Sequence, residues 1–138
     1  MSKIVNSTIG SAGCGTMGLP MLEVLLKNNI NAFGYDILSK ENFSSLENNF
    51  ISSKKDFFQK VDIIFSVVRD INQTKELCVG KNGLFQLNSP KTLIISSTLS
   101  PAFLNDFFQN APENITMIEA PMSGAPMKAK DATLTFMV

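Results

Sequence analysis

Short apolar segments alternate with segments of helical periodicity along almost the whole chain, and this alternation constrains the fold more than any other feature. Residues 62–68 and 92–97 are rich in branched and aromatic apolar side chains in near-continuous runs, which is typical of parallel strands buried on both faces. Between such segments apolar residues recur at helical spacing, as in residues 16–29. A β-α-β-α order predicts an α/β fold with a parallel sheet and helices on both faces.

The predicted elements follow this alternation from one end of the chain to the other. Strands are expected at residues 8–12, 30–36, 62–68, 92–97, 114–119 and 133–138. Helices are expected at residues 16–29, 54–61, 72–78 and 101–109, and residues 38–50 are weakly helical. The last of these helices has clear start signals, because Ser100 is suited to cap it and Pro101 to occupy its first position. No repeat or linker divides the sequence, so we expect residues 1–138 to form one domain.

The charged residues argue against two classes of partner. Twelve basic and twelve acidic side chains cancel, and neither sign is clustered. A nucleic-acid surface or a polybasic membrane anchor needs an excess of basic residues, so we expect no nucleic acid and no membrane as partner. No apolar run approaches the roughly 20 residues of a membrane span. Residues 1–3 lead directly into mixed sequence without a signal-peptide pattern, and we expect a cytoplasmic protein.

The chain contains no histidine and only two cysteines. The absence of histidine excludes Ser-His-Asp and Cys-His catalysis, and most transition-metal sites, because imidazole is their commonest ligand. We therefore expect no metal. Cys14 and Cys78 cannot form a disulfide framework. The chemistry must depend on carboxylates, lysines, hydroxyls, backbone groups or a cofactor.

Three glycines, Gly13, Gly15 and Gly18, form a G-x-G-x-x-G motif where the first predicted strand meets the first predicted helix. The first glycine permits a tight turn, the second lets a pyrophosphate approach the backbone, and the third lets the helix pack close to the strand. The helix N-terminus offers unpaired N–H groups and the positive end of its dipole to phosphates. The motif therefore predicts a dinucleotide-binding loop.

An acidic residue follows at the distance that such a site requires. Asp36 lies 18 residues after Gly18, at the end of the second predicted strand, where a carboxylate binds the ribose 2′-hydroxyl. No arginine follows Asp36 to bind a 2′-phosphate, and the only arginine of the chain is Arg69. The pattern therefore favours NAD over NADP. Methyltransferases also combine a glycine loop with an acidic strand end, and S-adenosylmethionine is the weaker alternative.

Cys14 lies between two of these glycines. A helix N-terminus lowers the pKa of a thiol, which would suit a redox sensor. We favour the other interpretation, in which a small side chain fills a tight space. Cys78 is expected in the core.

Four segments resemble the β-hydroxyacid dehydrogenase family, which includes 3-hydroxyisobutyrate, tartronate semialdehyde and L-threonate dehydrogenases. Residues 13–21 resemble its G-x-G-x-M-G-x-P-M opening, and residues 97–101 resemble its S-T-x-S-P segment. Residues 119–125 resemble its D-A-P-V-S-G-G substrate loop, and residues 133–138 its T-L-T-x-M-V strand. All four occur in the family's order. The resemblance implies a Rossmann-type, doubly wound, mainly parallel sheet, like the NAD-binding domain of 6-phosphogluconate dehydrogenase.

The resemblance implies a role for each matching residue. The pyrophosphate of the cofactor would be bound by Gly13, Cys14, Gly15, Thr16, Met17 and Gly18. Asp36 would bind the adenosine ribose, and Val67 and Val68 would line the adenine side. Thr98 would contact the nicotinamide end. The substrate carboxylate would be bound by Ser123, Gly124 and Ala125, through a hydroxyl and backbone N–H groups. An ordinary turn is the alternative for Ser123 and Gly124 taken without the family context.

Several positions depart from the family pattern. Arg69 stands where a proline is usual, and Ile95 and Glu119 stand where aspartates are common. Ala125 replaces the second glycine of the substrate loop, which would impair substrate binding if the φ angle there is positive. Ala132 replaces the glycine before T-L-T.

Other details resemble the sugar-acid members of the family, such as L-threonate dehydrogenases. They are residues 66–68, 73–74, 96–98 and 128–129. Lys128 would be near enough to the substrate loop to bind a carboxylate or phosphate. A solvated surface lysine is the alternative.

The resemblance also implies what these residues lack. In the family a catalytic lysine on a helical C-terminal domain acts as general acid and base, and no residue up to Val138 matches it. Because residues 133–138 are strand-like up to the last residue, we expect the chain to be a fragment. Without the catalytic lysine it should be inactive alone. Without the C-terminal domain it should expose apolar surface around residues 136–138. The intact enzyme is expected to be a homo-oligomer that oxidises a small hydroxy acid, such as a sugar acid, with NAD. A free-standing dinucleotide-binding or sensor module without catalysis is the alternative.

Overall fold

Five short strands form one sheet, and two more form a separate pair. The computed structural model describes residues 6–124 and 126–138. The sheet consists of β1 (Ile9–Ala12), β2 (Ala32–Tyr35), β3 (Ile63–Ser66), β4 (Lys91–Ile95) and β5 (Ile115–Glu119). The separate pair consists of β6 (Met122–Ser123) and β7 (Thr135–Phe136), which run antiparallel.

The order of strands in the sheet is β2-β1-β3-β4-β5, and every neighbouring pair is parallel. The order reverses at β1, whose last residue, Ala12, pairs with Tyr35 on one side and with Ser66 on the other. Such a reversal opens a crevice at the carboxyl ends of the strands, which is where doubly wound folds bind ligands. The predicted Rossmann-type arrangement is confirmed.

Helices cover both faces of this sheet, and the last of them packs against the first. They are α1 (Gly18–Lys27), α2 (Lys54–Lys60), α3 (Ile71–Cys78), α4 (Pro101–Gln109) and α5 (Pro126–Lys130), with 3-10 segments at Lys40–Asn49 and Leu84–Gln86. Three of these helices have a side-chain N-cap, which accepts a hydrogen bond from a main-chain N–H in the first turn. The caps are Ser53 for α2, Asp70 for α3 and Ser100 for α4. The predicted start of α4 at Ser100 and Pro101 is confirmed. Within the described ranges, no helix is long and apolar enough to cross a membrane.

Two clusters of buried side chains lie on opposite faces of the sheet. The larger cluster joins the sheet to α2, α3 and α4, and includes Phe57, Phe58, Leu77, Leu104 and Phe107. The smaller cluster joins the sheet to α1 and the first 3-10 segment, and includes Cys14, Leu22, Phe43, Leu46 and Phe50. Ile9 and Ala12 of β1 contact different clusters, since residues three apart on a strand point to opposite faces.

The strand predicted at residues 62–68 is shorter than expected and is not buried on both faces. β3 ends at Ser66, and Val67 and Val68 continue as a loop. Ile64 and Ser66 are buried, whereas Ile63 and Phe65 are only half-buried. The near-continuous apolar run therefore overestimated both the length of the strand, whose last two predicted residues lie in a loop, and the burial of its second face.

Residues 38–50 are helical only in part. The 3-10 segment is interrupted at Phe43 and at Glu47, where the backbone leaves helical geometry and φ of Glu47 is 51°. The Phe43 ring stacks on Phe50 with 4.9 Å between the ring centroids. Packing of these rings in the smaller cluster helps to hold the interrupted segment in place.

The strand predicted at residues 133–138 is reduced to β7 and does not join the sheet. Ser123 of β6 pairs with Thr135 of β7, and the Phe136 ring lies 6.1 Å from that of Phe65 between centroids. Phe136, Met137 and Val138 are 38%, 53% and 95% exposed. The expected apolar surface at residues 136–138 is therefore confirmed.

Candidate functional site

The glycine loop, residues 13–17, connects the carboxyl end of β1 to α1. Gly13 has a φ angle of 101°, and a Cβ atom there would lie 2.6 Å from the carbonyl oxygen of Val67. A Cβ atom at Gly18 would overlap the carbonyl oxygen of Gly13. Gly15 differs from both, because a Cβ atom there would have no neighbour within 4 Å. The first and third glycines are therefore required by packing, and the second faces open space.

The N–H groups of the loop are available at this open side. Within the described ranges, Gly15, Thr16 and Met17 donate no main-chain hydrogen bond. The first N–H groups of a helix have no acceptor in the helix itself and carry the positive end of its dipole. The loop can therefore donate several hydrogen bonds to an anion such as a pyrophosphate.

Asp36 holds this loop from the end of β2. One carboxylate oxygen accepts a hydrogen bond from the N–H of Cys14 at 2.8 Å, and the other accepts one from the N–H of Leu38 at 3.0 Å. The N–H of Gly13 also donates to the carbonyl oxygen of Tyr35 at 2.8 Å. The carboxylate is half-buried, and its position is fixed on both sides before any ligand binds.

Cys14 points away from the open side and into the smaller core cluster. It is 2% exposed, and its Sγ lies 3.6 Å from the carbonyl oxygen of Tyr35. Burial, with a smaller contribution from the negative charge of Asp36, raises the pKa of the Cys14 thiol to about 12. The interpretation of Cys14 as a space-filling side chain is confirmed, and Cys78, fully buried, lies in the core as expected.

The loops that follow β3 and β4 are tied together beside the glycine loop. The N–H of Val67 donates to the carbonyl oxygen of Ala12 at 2.8 Å, and the Ser97 hydroxyl donates to the carbonyl oxygen of Val68. Thr98 is exposed and borders an open cleft of about 490 Å³, together with Arg69, Asp70, Ile71, Asn72, Leu99 and Ser100. The cleft lies between the starts of α3 and α4, at the same edge of the sheet as the glycine loop.

The substrate loop of the resemblance, residues 119–125, begins at the end of β5 and includes β6. The N–H of Met122 donates to the carbonyl oxygen of Ser96 at 3.3 Å, which joins β6 to the end of β4. Ser123 and Gly124 are exposed, and φ of Gly124 is 135°. Ala125, which was also predicted to bind the substrate carboxylate, lies outside the described residues.

Two hydroxyl side chains that hold these loops were not predicted. Ser11 donates to the carbonyl oxygen of Gly13 at 3.0 Å, and Ser97 bridges the loops after β3 and β4. The available signal was their position, because each is a small polar residue within one residue of the carboxyl end of a predicted strand. Within the described ranges, no group of three or more histidine, cysteine, aspartate or glutamate side chains could hold a metal ion.

Sequence comparison identifies relatives along nearly the whole chain. Residues 8–138 match the family described as the NAD binding domain of 6-phosphogluconate dehydrogenase. A protein of Dictyostelium discoideum, named probable 3-hydroxyisobutyrate dehydrogenase, mitochondrial, is 32% identical over 143 residues. That match covers 100% of this chain and 44% of the relative. The chain therefore spans less than half the length of this relative.

Solved structures share the fold. A 3-hydroxyisobutyrate dehydrogenase from Salmonella typhimurium superposes with a TM-score of 0.84 at 24% identity, covering 95% of this chain and 47% of that chain. An imine reductase from Myxococcus stipitatus in complex with NADP+ has a TM-score of 0.78 at 18% identity. The superposition covers 88% of this chain and 43% of the reductase chain. A variant of that reductase was solved with NAD+. The glycine loop, the Asp36 carboxylate and the match over residues 8–138 lead to one conclusion: the chain belongs to the family of the NAD binding domain of 6-phosphogluconate dehydrogenase.

Proposed function

We propose that this chain binds NAD and forms the cofactor-binding part of a dehydrogenase that oxidises a small hydroxy acid. The observation that carries the proposal is the hydrogen bond from the N–H of Cys14 to the Asp36 carboxylate at 2.8 Å. It fixes an acidic group beside the open side of the glycine loop, where a ribose and a pyrophosphate would be bound together.

The residues present fit a dinucleotide. The space beside Gly15 is free of protein atoms to 4 Å from a Cβ position, so a phosphate can reach the backbone. The N–H groups of Gly15, Thr16 and Met17 would donate to the pyrophosphate. Bound NAD would supply a nicotinamide ring that accepts a hydride.

The preference for NAD over NADP is proposed from charge. Asp36 would accept hydrogen bonds from the ribose hydroxyls, and its negative charge would repel a 2′-phosphate. The next residue, Ile37, is 82% exposed and carries no charge that could bind a phosphate. A cofactor with a free 2′-hydroxyl therefore suits the site better.

The substrate is proposed to bind at the opposite end of the same edge. Ser123 and Gly124 would bind its carboxylate through the hydroxyl and N–H groups, and Thr98 would lie at the nicotinamide end. The fixed junction of β6 with β4 at Ser96 supports this, because it places Ser123 beside the loop that carries Thr98. The general acid and base is proposed to be a lysine outside residues 1–138, so the chain alone would bind the cofactor without turnover.

Calorimetric titration of the chain with NADH and with S-adenosylmethionine tests the proposal. We expect NADH to bind and S-adenosylmethionine to give no heat above dilution. Binding of S-adenosylmethionine without NADH would favour the methyltransferase alternative. NADH binding combined with the absence of hydroxy-acid oxidation, in a longer protein that includes this chain, would favour a cofactor sensor.

A further inference from the structure

Lys128 folds over the turn at Gly124 instead of extending into solvent along its whole length. Its Cβ and Cδ atoms lie 3.2 and 3.1 Å from the position that a Cβ atom of Gly124 would occupy. The Leu134 side chain reaches the same position at 3.0 Å from its Cδ2 atom. The aliphatic stem of Lys128 therefore packs against the backbone of the turn.

The backbone of Lys128 is held in place by hydrogen bonds and packing. Its carbonyl oxygen accepts a hydrogen bond from the N–H of Thr133 at 2.8 Å and a second, from the Thr133 hydroxyl, at 3.4 Å. The neighbouring Ala129 is 2% exposed, and α5 packs against α1, the helix that begins at the glycine loop. The stem of Lys128 therefore starts from a fixed point.

The charge of Lys128 has no partner within the described ranges. The one salt bridge found there joins Lys54 to Glu76, and no hydrogen bond of the Lys128 ammonium group is found. Asp131 is close in sequence but forms no ion pair with Lys128. The stem of an unpaired lysine thus lies against a turn formed by an exposed serine and a glycine with positive φ.

We propose that Lys128 binds the carboxylate of the hydroxy acid at the Ser123–Gly124 turn and makes the site selective for a negatively charged substrate. The proposal rests on the proposed function. A hydroxyl and N–H groups can donate to a neutral amide as well as to a carboxylate, since both carry acceptor oxygens, so they discriminate between the two less than a positive charge does. An ammonium group adds a charge-assisted hydrogen bond that only the carboxylate can use fully.

The test compares an acid with its uncharged analogue on the same chain. Sodium 3-hydroxypropionate and 3-hydroxypropionamide are titrated to about 100 mM, a range that covers weak binding, into ¹⁵N-labelled chain with and without NADH. The amide signals of Ser123 and Gly124 report binding in the wild type and in Lys128→Ala, Lys128→Arg and Lys130→Ala. Lys130→Ala is the matched control, because it removes the same charge from an exposed position of the same short helix.

We expect the wild type to bind the acid more tightly than the amide by about three- to tenfold, the range of one charge-assisted contact near the surface. Lys128→Ala should remove most of this preference by weakening acid binding, and should leave amide binding unchanged. Lys128→Arg should retain the preference, and Lys130→Ala should behave as the wild type.

Equal losses in Lys128→Ala and Lys130→Ala would overturn the proposal, since they would reflect net charge alone. Acid binding that is absent from the wild type, or unchanged in Lys128→Ala, would overturn it too. NADH titration of the same samples separates the two proposals, because a chain that binds NADH but shows no Lys128 effect retains the proposed function.

Discussion

The Asp36 carboxylate and the Cys14 main chain are joined by a 2.8 Å hydrogen bond between the end of β2 and the glycine loop. The same carboxylate accepts from the N–H of Leu38 at 3.0 Å. One side chain therefore fixes the loop that would bind a pyrophosphate and presents the charge that would select the ribose. Cofactor selection and loop geometry are coupled through Asp36.

The three glycines of the loop should respond differently to alanine. Gly15→Ala should leave the thermal midpoint of unfolding unchanged or raise it slightly, because its Cβ atom meets no neighbour and alanine restricts the unfolded chain. It should weaken NADH binding by at least about tenfold, because the methyl group occupies the space for the pyrophosphate. Calorimetry and thermal unfolding measure the two effects.

Gly18→Ala is the matched variant for this prediction. Its Cβ atom would overlap the carbonyl oxygen of Gly13, so the free energy of unfolding should fall by about 1–3 kcal/mol. Gly15→Ala protein that unfolds as early as Gly18→Ala, or that binds NADH like the wild type, would contradict the assigned roles.

Ala132 occupies a position where glycine would be more stable. Its φ angle is 59°, and the N–H groups of Ala132 and Thr133 donate to the carbonyl oxygens of Ala129 and Lys128 in the pattern of a Schellman motif. Ala132→Gly should therefore raise the free energy of unfolding by about 0.5–1 kcal/mol, since the left-handed region is costly for alanine. Urea unfolding of the variant and the wild type measures this difference in the free energy of unfolding.

The control for Ala132 lies in the preceding helix. Ala129→Gly should lower the free energy of unfolding by about 1 kcal/mol, because Ala129 is a buried helical residue. A loss of stability in Ala132→Gly as well would show that the left-handed conformation is not adopted there.

Both cysteines should be unreactive in the folded chain. Burial raises the pKa of Cys14 and of Cys78 to about 12 from the ordinary value of 9.0. Reaction with a thiol reagent at about pH 8 should therefore require unfolding, because the thiolate is the nucleophile. One fast-reacting thiol per folded chain would contradict the buried position of Cys14.

The same pKa shifts predict how stability depends on pH. Above about pH 9 the unfolded chain loses thiol protons that the folded chain retains, so stability falls as the pH rises from there toward about 12. Replacing both cysteines with alanine should reduce this loss, as urea unfolding at about pH 8 and about pH 10 would measure. An identical slope in the variant would assign the pH dependence to other groups.

The glycine loop and Asp36 could be predicted from sequence because both belong to a local pattern. Gly13, Gly15 and Gly18 are fixed by their spacing, and Asp36 by its distance along one βαβ unit. The Ser123–Gly124 turn came from the resemblance rather than from the residues, since a short exposed turn has no distinctive pattern of its own.

Features that depend on contacts between distant segments could not be predicted. The Ser97 hydroxyl reaches Val68 across two loops, and the Phe43 ring stacks on Phe50 within an interrupted 3-10 segment. The Lys128 stem over Gly124 depends on a short helix between β6 and β7. Periodicity carries no information on such contacts.

Cofactor titration of Asp36→Ala, compared with the wild type, tests the central claim most directly. The wild type should bind NADH more tightly than NADPH. The variant should lose about tenfold or more in NADH affinity, as expected for charge-assisted hydrogen bonds to the ribose. It should lose less NADPH affinity, because the missing hydrogen bond to Cys14 affects both cofactors whereas the repulsive charge acts on NADPH alone. An unchanged NADH affinity, or equal losses for both cofactors, would contradict the role of Asp36 in selecting NAD.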